Sequence, residues 1–199
     1  MFDADYYERG ILTKKSNFEN YRWIPELTIP MAMTIIDYLR IRSMDNVLDY
    51  GCAKGFLVKA LRWLNRNAWG YDISEYAIKN ADPEVQKYVS NQIWDCDPFS
   101  FCIAKDVFEH IPEEMLARVI EGILKDTEII FAVVPLGENG RYRAESNNLD
   151  VTHVICEPEE WWIRFFKRCH REVSVTFRIP GIKDSYRDIP MSHGFFTLV

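Results

Sequence analysis

The chain has 199 residues, 48% of them hydrophobic, enough to bury a proper core within one domain. Its net charge of −6 opposes nonspecific attraction to a nucleic-acid backbone, and no Lys/Arg run exceeds Lys14-Lys15, so nucleic acid is an unlikely partner by composition. The five cysteines, at 52, 96, 102, 156 and 169, are scattered without a C-x-x-C pair. That argues against a disulfide framework and a zinc signature, and fits reduced thiols in the cytoplasm. The start, Met1-Phe2-Asp3-Ala4-Asp5, is acidic rather than basic, and no apolar run approaches the roughly 20 residues of a membrane span. A soluble, cytoplasmic protein without membrane attachment is expected.

Residues 1 to about 28 are aromatic and charged, with Tyr6, Tyr7, Phe18, Tyr21 and Trp23. Together with a helix over 31–39, which follows Pro25 and Pro30, they are expected to form an N-terminal helical cap over 1–40. The remainder, 41–199, reads as the core of the same domain. A strand over 46–50 leads through a small-residue loop into a helix over 56–64. A second strand covers 68–71, and a short helix over 74–80 has Ser74 as its N-cap. Residues 85–89 are a candidate third, edge strand, despite Gln86 and Lys87. A fourth strand over 101–105, a helix over 113–125 and an uninterrupted apolar strand over 128–134 follow, the last suited to a sheet covered on both faces. The polar insertion 137–149 has the composition of a mobile substrate loop. A helix over 158–170 and two closing strands, 172–178 and 195–199, complete an alternation that predicts an α/β sheet, mostly parallel with an antiparallel C-terminal edge.

The chemistry is concentrated in Val47-Leu48-Asp49-Tyr50-Gly51-Cys52-Ala53-Lys54-Gly55 and in Gly70-Tyr71-Asp72. Small residues at a strand-to-helix turn let backbone approach a ligand, and a new helix offers unpaired N–H groups there. An acid ending the second strand is suited to the two hydroxyls of a ribose. The dinucleotide pattern G-x-G-x-x-G, counted from Gly51, fails at Ala53 and Phe56. The pattern acid-x-Gly-x-Gly-x-Gly is met at Asp49, Gly51 and Gly55, with only Ala53 departing.

On these residues the chain resembles the class I S-adenosylmethionine-dependent methyltransferases, which have a Rossmann-like three-layer fold around a seven-stranded sheet. The resemblance implies that Asp49 and the loop Gly51, Cys52, Ala53 and Gly55 cradle the methionine part of S-adenosylmethionine. Asp72 would hold the ribose, with Ile73 after it among the cofactor contacts. A carboxylate beside the loop suits an ammonium group and would repel a pyrophosphate. In Trp94-Asp95-Cys96-Asp97 the resemblance gives Asp95 the adenine amino group, with either Trp94 or Cys96 flanking the base.

Ala104-Lys105-Asp106-Val107-Phe108-Glu109-His110-Ile111-Pro112 resembles the family's exit from strand four, so Lys105 and Asp106 are expected to face cofactor or substrate. His110 is a candidate general base, since an imidazole titrates near working pH; simple packing at a helix start is its alternative. Asp150-Val151-Thr152-His153 resembles a run found in several small-molecule methyltransferases and makes His153 a second candidate, against a role in anchoring its loop. Arg141 and Arg143 are candidates to meet an anionic acceptor, with solvated charge the default. Tyr6-Tyr7-Glu8-Arg9-Gly10 resembles segments that fold over the donor, where Tyr6 or Tyr7 would touch the sulfonium. His170 and His193 read as structural, and no residues form a metal triad by spacing.

Two subclasses are set aside. The Asp/Asn-Pro-Pro-aromatic motif of amino-methylating nucleic-acid enzymes is replaced by Ala104-Lys105-Asp106-Val107, and the lysine of ribose-methylating enzymes by Val134-Pro135-Leu136. The expected activity is methyl transfer to a small molecule such as a metabolite, sugar derivative or lipid-like compound. A fold relative that binds the cofactor without turnover, and a nicotinamide-dependent oxidoreductase weakened by Phe56, are the rivals. Oligomeric state is left open.

Overall fold

A computed structural model describes residues 2–92, 98–169 and 172–199. The elements in order are α1 (Ala4–Glu8), α2 (Gly10–Thr13), α3 (Pro25–Leu39), β1 (Asn46–Tyr50), α4 (Phe56–Trp63), β2 (Asn67–Tyr71), α5 (Glu75–Lys79) and β3 (Val89–Ser90). They continue with β4 (Phe99–Lys105), α6 (Glu113–Leu124), β5 (Thr127–Pro135), β6 (Gly137–Glu138), β7 (Arg141–Tyr142), α7 (Glu159–Cys169), β8 (Val173–Thr176) and β9 (His193–Leu198). Seven strands form one sheet in the order β3-β2-β1-β4-β5-β9-β8, with β6 and β7 a separate small hairpin. The pairs from β3 to β5 are parallel, and β9 runs antiparallel to both β5 and β8. This is the mostly parallel Rossmann-like sheet with an antiparallel C-terminal strand that the alternation predicts. That strand is set between β5 and β8.

Both faces of the sheet are apolar because successive side chains of a strand point to opposite faces. Phe131 and Val133 of β5 pack with Ala32 and Ile35 of α3 and with Val58 and Leu61 of α4. The alternate residues Ile130, Ala132 and Val134 pack with Leu116 and Ile120 of α6 and with Trp162 and Phe166 of α7. A third, smaller cluster joins Tyr6 and Tyr7 to Ala77, Tyr21, Phe18 and Ala53, seating the N-terminal segment over the loop that follows β1. No helix among the described residues is long and apolar enough to cross a membrane.

Three differences from the sequence reading have physical causes. Helix α3 starts at Pro25, not at 31, with Pro25 in the first turn where its missing N–H costs nothing. Pro30 stays inside it at the loss of one backbone bond, offset by the burial of Ala32 and Ile35. The expected edge strand over 85–89 is instead a 3-10 turn, Gln86–Tyr88, and only Val89–Ser90 pairs with β2. A full strand would put Lys87 on the same face as the buried Val85 and Val89, whereas a turn brings those two valines together and leaves Lys87 outside. The insertion 137–149 forms the β6–β7 hairpin and a 3-10 turn, Glu145–Leu149. Its buried Tyr142 donates its hydroxyl to the Ile155 carbonyl at 2.6 Å.

Phe166 has no exposed surface and meets the rings of Phe108, Trp162 and Phe196. Phe166→Ala is expected to destabilise the protein by about 3–5 kcal/mol, read as a shift in the midpoint of urea unfolding.

Candidate active site

The chain leaves β1 in a loop hooked onto the end of β2. The N–H groups of Gly51 and Cys52 both donate to the Tyr71 carbonyl, at 2.7 and 3.0 Å. Three alternate residues of the loop are left-handed, Gly51 at φ +81°, Ala53 at +49° and Gly55 at +78°. The spacing seen in the sequence is therefore a backbone requirement, and Ala53 meets it with a non-glycine residue, at about 1–2 kcal/mol of strain. Asp72 holds this shape. One carboxylate oxygen accepts from the Ala53 N–H at 2.7 Å and the other from the Ser74 N–H at 2.8 Å. Burial still pushes the Asp72 carboxyl up, more than these two bonds pull it down. Each oxygen keeps a second lone pair.

Cys52 sends its side chain into the core beneath Gly70, so only its backbone belongs to the loop. Burial foremost, then Asp49 and Asp72, drives its thiol well above the ordinary range, which makes it inert. Ile73, directly after Asp72, is 71% exposed and offers an apolar surface beside that carboxylate. Asp95 and Cys96, with Trp94, lie outside the described residues, as does His170.

Asp49 is buried at the end of β1, and no hydrogen bond to its carboxylate forms among the described residues. Burial pushes it up to about 7; Asp72 adds to the rise and Lys105 opposes it. The phenol of Tyr21 is raised by burial first and then by Asp49, Cys52, Asp72 and Asp106. Its ring packs against Tyr7, Phe18 and Phe56, and its hydroxyl has no partner among the described residues. Tyr6 instead donates its hydroxyl to Asp150 at 3.0 Å, and Tyr7 stacks on Tyr76 with ring centroids 6.0 Å apart.

Asp106 follows β4 in a left-handed conformation, φ +58°, its N–H bonded to the Val133 carbonyl. Its carboxylate meets Lys105 at 2.5 Å and Lys183 at 2.6 Å. Against the cost of burial these two ammonium groups hold Asp106 far below the usual carboxylate range. Beyond it lie Glu109, His110 and His153, whose potential ligand atoms are within 4.8 Å of one another. His110 sits at about 4, lowered by burial and then by His153, and burial likewise lowers His153. His193 joins this region, buried beside Lys183 and lowered to about 3 by burial and then by that lysine. The three imidazoles are neutral at pH 7.

The fold thus sets Asp49, the Gly51–Gly55 loop and Asp72 at the ends of β1 and β2, and Lys105, Asp106 and His110 at and beyond the end of β4, with the His153 ring 4.6 Å from that of His110. Arg141 and Arg143 are already paired, with Glu145 at 2.7 Å and Glu159 at 2.9 Å. Tyr21 and Lys183 escaped the sequence reading. Tyr21 was one aromatic among several, and Lys183 stands in a loop with no motif.

The sequence matches the methyltransferase-domain family over residues 28–168, more than half of the chain. No curated protein matches it significantly. Among solved structures, a SAM dependent methyltransferase from Archaeoglobus fulgidus is similar at 16% identity and a TM-score of 0.63, over 84% of this chain and 91% of that one. A S-adenosylmethionine-dependent methyltransferase from Clostridium acetobutylicum gives 10% and 0.60, over 88% and 92%. The 1,6-didemethyltoxoflavin-N1-methyltransferase from Burkholderia thailandensis, solved with its substrate and S-adenosylhomocysteine, gives 12% and 0.59, over 85% and 76%. At these identities the structures establish a shared fold.

The loop makes opposite demands at two positions. In Gly51→Ala the new methyl would lie 2.4 Å from a Val107 methyl on a backbone at φ +81°, and a loss of about 2–4 kcal/mol is expected. Ala53→Gly relieves a left-handed residue and is expected to leave stability equal or higher, both read by thermal and urea unfolding.

Proposed function

The chain belongs to the methyltransferase-domain family, and from that premise we propose that it transfers a methyl group from S-adenosylmethionine to a small-molecule acceptor. The observation that carries this reading is Asp49, a buried carboxylate at the exit of β1 that no donor among the described residues satisfies. An ammonium group is the partner such a carboxylate needs, because an unpaired buried charge is costly and a paired one is not. The donor fits the neighbouring residues as well. Gly51 and Gly55 let backbone come close to its methionine part. The spare lone pairs of Asp72 accept two ribose hydroxyls, Ile73 offers apolar surface to the base, and the Tyr21 hydroxyl is free to donate to a carboxylate.

Bound there, S-adenosylmethionine supplies a methyl carbon already activated by its sulfonium. The protein's part is to orient, exclude water and manage a proton. The N-terminal aromatic cluster of Tyr6, Tyr7, Phe18 and Tyr21 closes the crevice against water. On the acceptor side, His110 and His153 are neutral imidazoles, each with one lone pair to offer, and Lys105, Asp106 and Lys183 form a fixed polar wall. A small acceptor agrees with this enclosure and with the acidic net charge, which disfavours nucleic acid. Methyl release measured across panels of small metabolites and of RNA tests it; turnover on RNA alone would overturn the acceptor class.

The donor half is tested by calorimetry with S-adenosylhomocysteine. Asp49→Asn is expected to weaken binding by about 1.5–3 kcal/mol through one lost charge-assisted bond. The pH dependence has a definite sign. In the free site Asp49 titrates at about 7, and only its ionised form pairs with ammonium. Affinity should therefore fall as pH drops below about 7, by about five- to sixfold from pH 7 to 6, and Asp49→Asn should flatten that slope. An unchanged slope in the folded variant would remove Asp49 from the site.

A further inference from the structure

We propose that Glu109, His110 and His153 form a binding site for one divalent transition-metal ion on the acceptor side of the crevice. The three residues come from two segments far apart in the chain, yet one ligand atom of each lies within 4.8 Å of the others. Ligands of one ion held at about 2.1 Å lie about 3 Å apart, so side-chain rotation has only a short way to bring them in.

Glu109 is the strongest sign. It is 1% exposed, and neither carboxylate oxygen has a hydrogen-bond partner among the described residues. Asp106, one turn earlier, does not share this state because Lys105 and Lys183 satisfy it. A buried carboxylate with no donor needs either a proton or a cation.

Both imidazoles are oriented to offer a lone pair. His153 Nδ1 faces the Asn147 carbonyl at 3.0 Å, which can only accept, so Nδ1 carries the hydrogen; Nε2 carries none and lies 3.9 Å from an Asp150 carboxylate oxygen, beyond hydrogen-bond distance. His110 Nδ1 lies 2.8 Å from Thr152 Oγ1, and that hydroxyl is already donating to Asp150 at 2.6 Å. His110 Nδ1 therefore donates, and its Nε2 is bare as well. Asp150 in turn accepts from Tyr6 at 3.0 Å and from the Thr152 N–H at 2.9 Å. A fixed chain of donors and acceptors behind each ligand is how proteins set imidazole tautomers at metal sites.

Two imidazole nitrogens and one carboxylate favour Mn2+, Fe2+, Co2+ or Zn2+ over Mg2+ and Ca2+. Three protein ligands leave positions open for water or for an oxygen or nitrogen of the acceptor. The site is separate from the donor end of the crevice, so it stands or falls independently of donor binding.

The test uses the full chain stripped with chelator and titrated with Mn2+ alone, followed by electron paramagnetic resonance, and with Co2+, followed by visible absorption. One ion per chain is expected, with nitrogen hyperfine coupling on the bound Mn2+. Glu109→Gln and His153→Gln should each weaken uptake at least about tenfold while S-adenosylhomocysteine binding is kept. No stoichiometric uptake by the wild-type chain, uptake without nitrogen coupling, or uptake unchanged in the two variants would each overturn the site. Should a variant fail to fold, the wild-type spectrum decides alone. Metal uptake without S-adenosylhomocysteine binding would sink the donor reading and leave this one standing.

Discussion

The crevice depends on one carboxylate. Asp72 joins the loop after β1 to the turn after β2 by accepting from Ala53 and Ser74, which ties two strand ends together at the point where ligands sit in sheets of this kind. The left-handed Ala53 is tolerable because its N–H is thereby satisfied by a charged acceptor. The same two bonds fix the carboxylate's orientation, so its spare lone pairs keep set directions rather than sampling many. Preorganisation of this kind lowers the ordering cost that a ligand would otherwise meet.

The two ends of the crevice solve the problem of buried charge in opposite ways. At the end of β1 Asp49 has no hydrogen-bond partner among the described residues, and its tendency to ionise is held in check by burial. After β4 Asp106 is overpaired, clasped by lysines from β4 and from the loop before β9. The first arrangement leaves a buried carboxylate unpaired. The second is self-contained, which makes Asp106 a fixed part of the wall and turns attention to the groups beyond it.

What the sequence made legible follows from how local each signal is. Strand β1, helix α4 and the Ser74 cap came through because a few adjacent residues determine them, and the apolar run of β5 announced a strand covered on both faces. Residues 85–89 misled because valines four apart serve a turn as well as an edge strand. Asp49, Gly51, Gly55 and Asp72 were readable because one βαβ unit carries them all. Lys183 and the meeting of Glu109 with His153 were not, since they depend on where long connections return to the sheet. A spacing rule for metal ligands sees only residues that share an element.

The position of β9 has a consequence for how the molecule is assembled. Among the described residues β8 pairs with β9 and with no other strand, so residues 173–176 have no described partner to join until 193–198 have been made. Until then β5 offers a bare row of backbone donors and acceptors beside the apolar Ile130, Ala132 and Val134. The chain therefore passes through synthesis with this edge of β5 open until β9, about 60 residues later, emerges to seal it.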